Sequence, residues 1–472
     1  MTSATWASTS STIDTAARST SRPSVGTSGQ IGLGIVLAVL YLLAIGAQQS
    51  QIAIGLIAVS AGVAVVWPAA GLALFALVMP LRETEILVPV RFNAILSSAI
   101  ALGCIVHLPI YRIRIRAHPG VVLLLGYLGL SALSLAALIV PPSLSGHAPT
   151  WAPSALNTLL HLTTGVSLFL SASYLFRLMS PRTIVALALV GTTIAALLAL
   201  SDSLNVLPFP ELTLGLLEKT GRLRASGAFS DPNFFGLYMA TAAVFVSGIV
   251  AVARWRSKLL LIPLAILLFA CVAVSYSRGA YIASAAGVVV LVGLRSKMAA
   301  VILVLGGAIL ALTLYPAFLE ARQGASLSSA DRYALLLGED TRAKVAAAGL
   351  AMFAAFPVFG VGFGLFQIVS PAYIPGGTTD STYSHNQFLN VLAEQGVVGA
   401  IIVAGIVLIL LFTLVRSNGP LRLAAIAMGA TFLVGSVFLH SLTIFQSCSL
   451  LWLVMAAALA PVGAWSSSVA EA

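Results

Sequence analysis

Fourteen long apolar stretches, almost free of charge, recur along this chain and limit what it can fold into. Their approximate bounds are 31–47, 51–66, 67–81, 92–110, 119–140, 154–176, 183–201, 233–253, 257–275, 278–294, 297–316, 397–415, 422–440 and 446–464. About 20 apolar residues in a helix cross the hydrocarbon core of a bilayer. The stretches are continuous runs, not the ten-residue alternations of a membrane barrel. Composition agrees, since 59% of the 472 residues are hydrophobic and 8% are charged, against roughly 25% charged in a soluble domain. In lipid every backbone amide must be satisfied within the fold, which leaves helices or closed barrels. The predicted fold class is all-α, a polytopic membrane helical bundle of twelve to fourteen transmembrane helices. One large outer loop is expected to contain short amphipathic helices. The lower count allows the second and third stretches, both short, to form one re-entrant unit.

Lysine and arginine orient the bundle, because short cytoplasmic loops concentrate them. One set of alternate loops holds Arg112, Arg114, Arg116, Arg177, Arg182, Arg254, Arg256, Lys258, Arg295, Lys297, Arg416 and Arg422. With Arg18 and Arg22 of the tail, these are fourteen of the 24 basic residues, and their loops contain no Asp or Glu. This face is read as cytoplasmic. The opposite face holds the long loops 202–232 and 317–396 and twelve of the fourteen acidic residues. The expected organisation is a disordered cytoplasmic tail over 1–30, helices over 31–201, a central region over 202–400 and C-terminal helices over 401–472.

The net charge of +10 does not indicate nucleic acid, because the charge is distributed by topology. The first 30 residues contain fifteen Ser or Thr, a disordered composition, and lack the short basic start of a signal peptide. Cys104, Cys271 and Cys448 all fall inside apolar runs and read as small core residues. No Cys/His cluster has metal-ligand spacing, so neither metal nor cofactor is expected. No Asp or Glu lies mid-span, which argues against an ion-coupled carrier. Asn157 and His161 are midspan polar residues, read as hydrogen-bonded structure before proton relay.

Three outer-face segments carry basic residues that the topology does not require. In GRLRASGAFSDPNFFG (221–236), Asp231 and Pro232 form an N-cap and N1 pair, preceded by Arg222 and Arg224. Arginine presents a planar fork matched to phosphate oxygens, although a surface arginine also snorkels to lipid headgroups. In SYSRGAYIASAAG (275–287), Arg278 sits at the tip of a tight hairpin between two spans. The third segment is 317–396. Its TRAKVAAAGLAMFAAFP (341–357) is amphipathic. Its GVGFG (360–364) follows no strand and lacks a following Lys-Ser/Thr, so it reads as a turn rather than a phosphate loop. It ends in YSHNQFLNVLAEQGVVG (383–399), where a helical period groups His385, Phe388, Leu389 and Leu392 on one face. Glu394 falls on the opposite face, and Gly396 and Gly399 suit a helix break or close packing. Histidine near neutral pH is the usual general base. With the arginines it makes a coherent site for displacing a diphosphate. No acidic pair is arranged for glycoside hydrolysis, and no nucleophile elbow is present.

At these segments the chain resembles the O-antigen ligase and O-antigen polymerase superfamily. RASGAFSDPNFFG is similar to the family's arginine segment before a central span, and SYSRGAYIASAAG to its Ser-Arg-Gly hairpin. RAKVAAAGLAMFAAFPVFGVGFGLF and SHNQFLNVLAEQGVVGA are similar to the stretch before its catalytic turn and to its His-Asn segment. The resemblance runs from about 222 to 400. It implies a metal-independent membrane glycosyltransferase of the bacterial inner membrane that uses an undecaprenyl-diphosphate-linked glycan on the periplasmic face. By resemblance, Arg224 and Arg278 engage the diphosphate and His385 is the base. Arg222, Arg342, Asn233 and Asn386 are assigned to substrate binding. The acceptor hydroxyl stays open between lipid A core, a growing glycan and protein Ser/Thr. The long polar tail and two additional spans set this chain apart from the family pattern. A solute transporter is the alternative, which would show inverted repeats and discontinuous midplane spans.

Overall fold

Each of the fourteen apolar stretches is a helix in the computed structural model, which describes residues 26–81, 85–87, 90–111, 119–136, 151–204, 206, 216–219, 222–308, 329–374 and 383–465. The helices are α1 (Thr27–Gly46), α2 (Ser50–Val66), α3 (Pro68–Val78), α4 (Phe92–Tyr111), α5 (Pro119–Ala136), α6 (Trp151–Leu175) and α7 (Pro181–Ser203). They continue with α8 (Pro232–Val252), α9 (Trp255–Val274), α10 (Arg278–Gly293), α11 (Lys297–Ala308), α12 (Ser329–Ala355) and α13 (Phe366–Val369). The last three are α14 (Gln387–Arg416), α15 (Arg422–Gly435) and α16 (Phe445–Ala458). Most of the expected tail lies outside the described residues, and α1 begins at Thr27, within it.

Six of these helices, α1, α6, α7, α8, α9 and α14, are long and apolar enough to cross a membrane. Eight shorter apolar helices among the described residues make up the fourteen. Their outward faces are apolar, as a lipid solvent requires: Leu260, Ile266, Ile401 and Leu408 are all more than 60% exposed. Hydroxyls inside the bundle bond back to the preceding turn, as Thr163, Thr192, Thr193 and Ser247 do at 2.7–2.8 Å. That leaves no polar group facing hydrocarbon unmatched at these positions. The second and third stretches are two helices that meet at Trp67 and Pro68, where proline suits the first turn of α3. All eleven residues of α3 are buried, enclosed chiefly by α1, α2, α4 and α7.

Two departures from the expected helices shape the region between α11 and α15. The large loop contains not only short pieces but the 27-residue α12. Val345, Ala348 and Met352 of α12 pack on Phe366, Ile374 and Ala393 as a satellite core. In addition, α14 begins ten residues before the expected span, because Asn386 caps it and accepts from Phe388 N and Leu389 N at 3.0 and 3.1 Å. Glu394 therefore lies inside a helix, buried, with Oε1 accepting from Phe366 N at 3.0 Å.

The helix breaks at Gly396, with φ 62° and ψ −159°, a region open essentially to glycine alone. Backbone bonds rejoin the break to the turn before it. Val361 N donates to Ala393 O (2.9 Å), Gly362 N to Glu394 O (2.9 Å), Val397 N to Pro357 O (2.8 Å) and Val398 N to Val358 O (3.2 Å). The GVGFG segment is thus a turn, as expected, and Gly360, Gly362 and Gly364 all have positive φ.

Two antiparallel hairpins were not anticipated. β1 (Glu85–Leu87) pairs with β2 (Val90–Arg91), and β3 (Leu216–Lys219) with β4 (Arg222–Ala225). The second places Leu217 opposite Arg224 and Lys219 opposite Arg222.

Candidate functional site

Arg224 lies near the end of β4 and is 7% exposed. Its Nε donates to Ser275 O at 2.9 Å and its Nη2 donates to Asn233 Oδ1 at 2.9 Å. One guanidinium thus joins three elements: the β hairpin, the start of α8 and the α9–α10 turn. Asn233 is held for this by the cap before it, since its backbone N donates to Asp231 Oδ1 at 2.7 Å. The Asp-Pro pair opens α8 as expected. Gly236, one turn on, has no room for a side chain, because a Cβ there would stand 2.6 Å from Ser275 Oγ.

The α9–α10 turn runs through Ser275, Tyr276 and Ser277. Ser277 caps α10 by accepting from Ala280 N at 3.4 Å, and Arg278 follows as the first helical residue, partly buried. Gly279 packs on Phe438, so the turn rests on the connection between α15 and α16. That connection reaches the histidine segment as well. Gln387 N donates to Ser436 O at 2.8 Å, and Leu442 N donates to Gln387 Oε1 at 2.9 Å.

His385 is not on a helical face with Phe388, Leu389 and Leu392. It precedes the cap residue Asn386 and takes φ 53°, and downstream Phe388 is exposed where Leu389 is buried. Side-chain bonds within the segment support this turn, with Ser384 Oγ donating to Asn386 O at 2.7 Å and approaching Asn390 Oδ1. Among the described residues, the non-glycine residues with positive φ are Gln48, Tyr276 and His385. Two of the three thus lie in the two segments described here. Strained backbone of this kind collects at functional sites.

His440 is a residue that the sequence reading missed. It lies between α15 and α16, is 4% exposed, and stacks on Tyr383 with ring centroids 3.8 Å apart and planes at 21°. Phe234 of α8 meets it edge-on at 5.1 Å, and the His385 ring is 6.0 Å away. Burial, and then the charge of His385, hold the His440 imidazole well below the ordinary histidine range, at about 3. The available signal was its place where the thirteenth apolar stretch ends on the same face as His385.

The structure therefore brings Arg224, Asn233, Arg278, His385 and Asn386 to one end of the bundle through directly contacting elements. Arg222 opens β4, and its side chain lies outside the described residues. Arg342 stands exposed on α12, seven residues before Gly349, or about 10 Å along the helix. Gly349 is the point where α12 meets Leu389. His161 is structural, its Nδ1 accepting from Phe445 N at 3.4 Å. The three cysteines are buried and unbridged.

Below the cluster an apolar cavity of about 410 Å3 runs between α5, α6, α14, α15 and α16, lined by residues such as Tyr127, Leu162, Ile406, Phe432, Leu442 and Trp452. Leu442, which lines it, is the residue bonded to Gln387.

Fold and site together define a polytopic membrane protein with a polar, arginine- and histidine-bearing site at one mouth of its helical bundle. Residues 263–404 match the family described as O-antigen ligase, which supports the O-antigen ligase and polymerase superfamily and its role in polysaccharide biosynthesis. The match covers less than a third of the chain. Arg278, Arg342, His385 and Asn386 lie inside it, while Arg222, Arg224, Asn233 and His440 lie outside. No curated protein matches the chain. At the coarse level, the family supports a membrane glycosyltransferase-like enzyme with a lipid-linked glycan donor and an acceptor.

Proposed function

We propose that this protein transfers a glycan from undecaprenyl diphosphate to a hydroxyl acceptor at the outer face of the bacterial cytoplasmic membrane. One observation carries the reading: Arg224, Arg278 and His385, from segments separated by up to 161 positions, gather at one bundle end through the α15–α16 connection. Three apolar helices, α8, α10 and α14, also start at this end. Helix N-termini present free amides and partial positive charge, so they reinforce the arginines towards an anion. The far end holds Arg182, Arg254, Arg256, Arg295, Arg416 and Arg422, and the positive-inside rule assigns that end to the cytoplasm.

In this mechanism Arg224 and Arg278 hold the donor diphosphate, and Asn233 orients Arg224. The prenyl chain extends into the apolar cavity, which begins beside Gln387. His385 accepts the proton of the acceptor hydroxyl as its oxygen bonds to the anomeric carbon. The bond from that carbon to the diphosphate oxygen breaks, and the electron pair leaves on the diphosphate. The arginines stabilise that charge as it forms, which is where fixed cations lower a barrier most. Asn386 presents His385 by ending the turn and starting α14, and Arg222 and Arg342 flank the glycan. The acceptor is lipid A core, a growing glycan or protein Ser/Thr. A diphosphate is already an activated leaving group, so the scheme calls on no nucleotide, metal or cofactor.

The test is glycan transfer in proteoliposomes with purified lipid-diphosphate donor and each acceptor class. His385→Ala is expected to lower the rate by about 10²–10⁴, the usual contribution of a positioned base. Arg278→Ala is expected to lower it by about 10²–10³, and EDTA to leave the wild-type rate unchanged. Wild-type rates in both variants would remove these residues from the chemistry.

A further inference from the structure

His440 joins the two halves of the cluster. On one side it touches Phe234, adjacent to the Asn233 that receives the Arg224 guanidinium. On the other it stacks on Tyr383 and neighbours His385. Its own connection also carries Phe438 against Gly279, beside Arg278, and Ser436 against Gln387. An aromatic ring gripped on its face and at its edge has one orientation, and offset stacking and edge contacts hold it there. The turn that it supports needs such support, since His385 sits in a left-handed conformation that carries a cost for a side-chain-bearing residue.

We propose that His440 is a positioning residue for glycan transfer: its ring, clamped between Tyr383 and Phe234, sets the place of His385 relative to the arginine side of the site. The inference rests on the transfer reading above and extends it to a residue outside the family match. His440 itself touches neither proton nor donor in this role. What it supplies is a flat, rigid face, and a phenyl ring supplies the same. A branched aliphatic side chain fills part of the volume without that face. The consequence belongs to kcat and not to donor binding, because Arg224 keeps its own anchors at Ser275 and Asn233.

The experiment measures kcat and donor KM in proteoliposomes for wild type, His440→Leu, His440→Phe, Tyr383→Leu and the Tyr383→Leu/His440→Leu double variant, with His385→Ala as the reference loss. His440→Leu is expected to lower kcat about 10–100-fold, the scale of a small misplacement of a reacting group, with donor KM within about 3-fold. His440→Phe is expected to recover kcat to within about 5-fold of wild type, since the stack survives. Tyr383→Leu is expected to match His440→Leu, and the double variant to be no worse than either single change, because the two rings act as one contact. Losses that multiply in the double variant, a change confined to KM, or a His440→Phe as slow as His440→Leu each overturn the inference. Transfer that is lost in His385→Ala but unchanged in His440→Leu overturns this inference alone. A wild type that transfers to no acceptor overturns the underlying reading, and this inference with it.

Discussion

At the residue scale, Arg224 shows why the arginine and not merely its charge matters. Its fork spans a backbone carbonyl and a side-chain amide on two different elements, a geometry that a lysine ammonium cannot reproduce. Arg224→Lys is expected to lose one of the two bonds, which costs on the order of 1.5–3 kcal/mol for a hydrogen bond from a charged group. The loss is read as a lower unfolding midpoint in detergent and a higher donor KM. Asn233→Ala should show the same pair of changes to a smaller extent. His440 makes a pH prediction. An unfolded histidine takes up a proton near pH 6.5, whereas the folded His440 does so only at about 3. Between those values the unfolded state binds more protons, so His440 makes stability fall as pH falls through that window. The stability difference between wild type and His440→Phe, followed by thermal unfolding from pH 7 to 4, should shift in favour of the variant as pH drops. A difference that stays flat with pH would show that His440 keeps an ordinary histidine titration. The sequence displayed Arg224, Arg278 and His385 as basic residues out of place. It did not display His440, because a histidine at the end of an apolar run carries no spacing pattern of its own.

At the element scale, the broken helix α14 is the device that places His385. The N-terminal segment Gln387–Gln395 is tied to the GVGFG turn by two backbone bonds, two more join Pro357 and Val358 to Val397 and Val398 beyond the break, and Glu394 fastens Phe366, just after the turn, from within the helix. Gly396→Ala places a Cβ in a backbone conformation reserved for glycine and against Val358 and Phe359. It is expected to lower stability by about 1–3 kcal/mol from backbone strain alone and to reduce transfer, although it removes no polar group. Gly293→Ala, where a Cβ meets only Ala300 at 3.5 Å, is the control and should behave as wild type in both assays. The glycines at 396 and 399 suit a helix break or close packing, and a helical period over 385–392 is legible in the sequence. That period did not reveal that the helix starts only at Gln387, leaving His385 outside it, or that Asn390, Glu394 and Gln395 further along are buried. The β3–β4 hairpin escaped as well. Its strands are four residues each, and so short a pattern between long spans reads as loop.

At the scale of the whole molecule, topology is the property that makes the site useful to a lipid-linked donor, and it can be tested directly. In a cysteine-free background, Gln49→Cys, between α1 and α2, is expected to react with a membrane-impermeant maleimide in intact cells. Ser296→Cys and Asn418→Cys, at the opposite end, should react only after permeabilisation. Reversed labelling would place the cluster in the cytoplasm and remove the proposed function. The sequence by itself determined the all-α membrane class and the fourteen apolar helices, because the solvent decides these through local hydrophobicity and backbone hydrogen bonding. It also pointed to three of the segments that meet at the site. Only the tertiary structure decided which of their residues approach one another, and that the α15–α16 connection brings His440 between the two halves. Those outcomes depend on packing between helices far apart in the chain, and in lipid such packing is set by shape and a few buried polar contacts. No stretch of sequence read alone contains them.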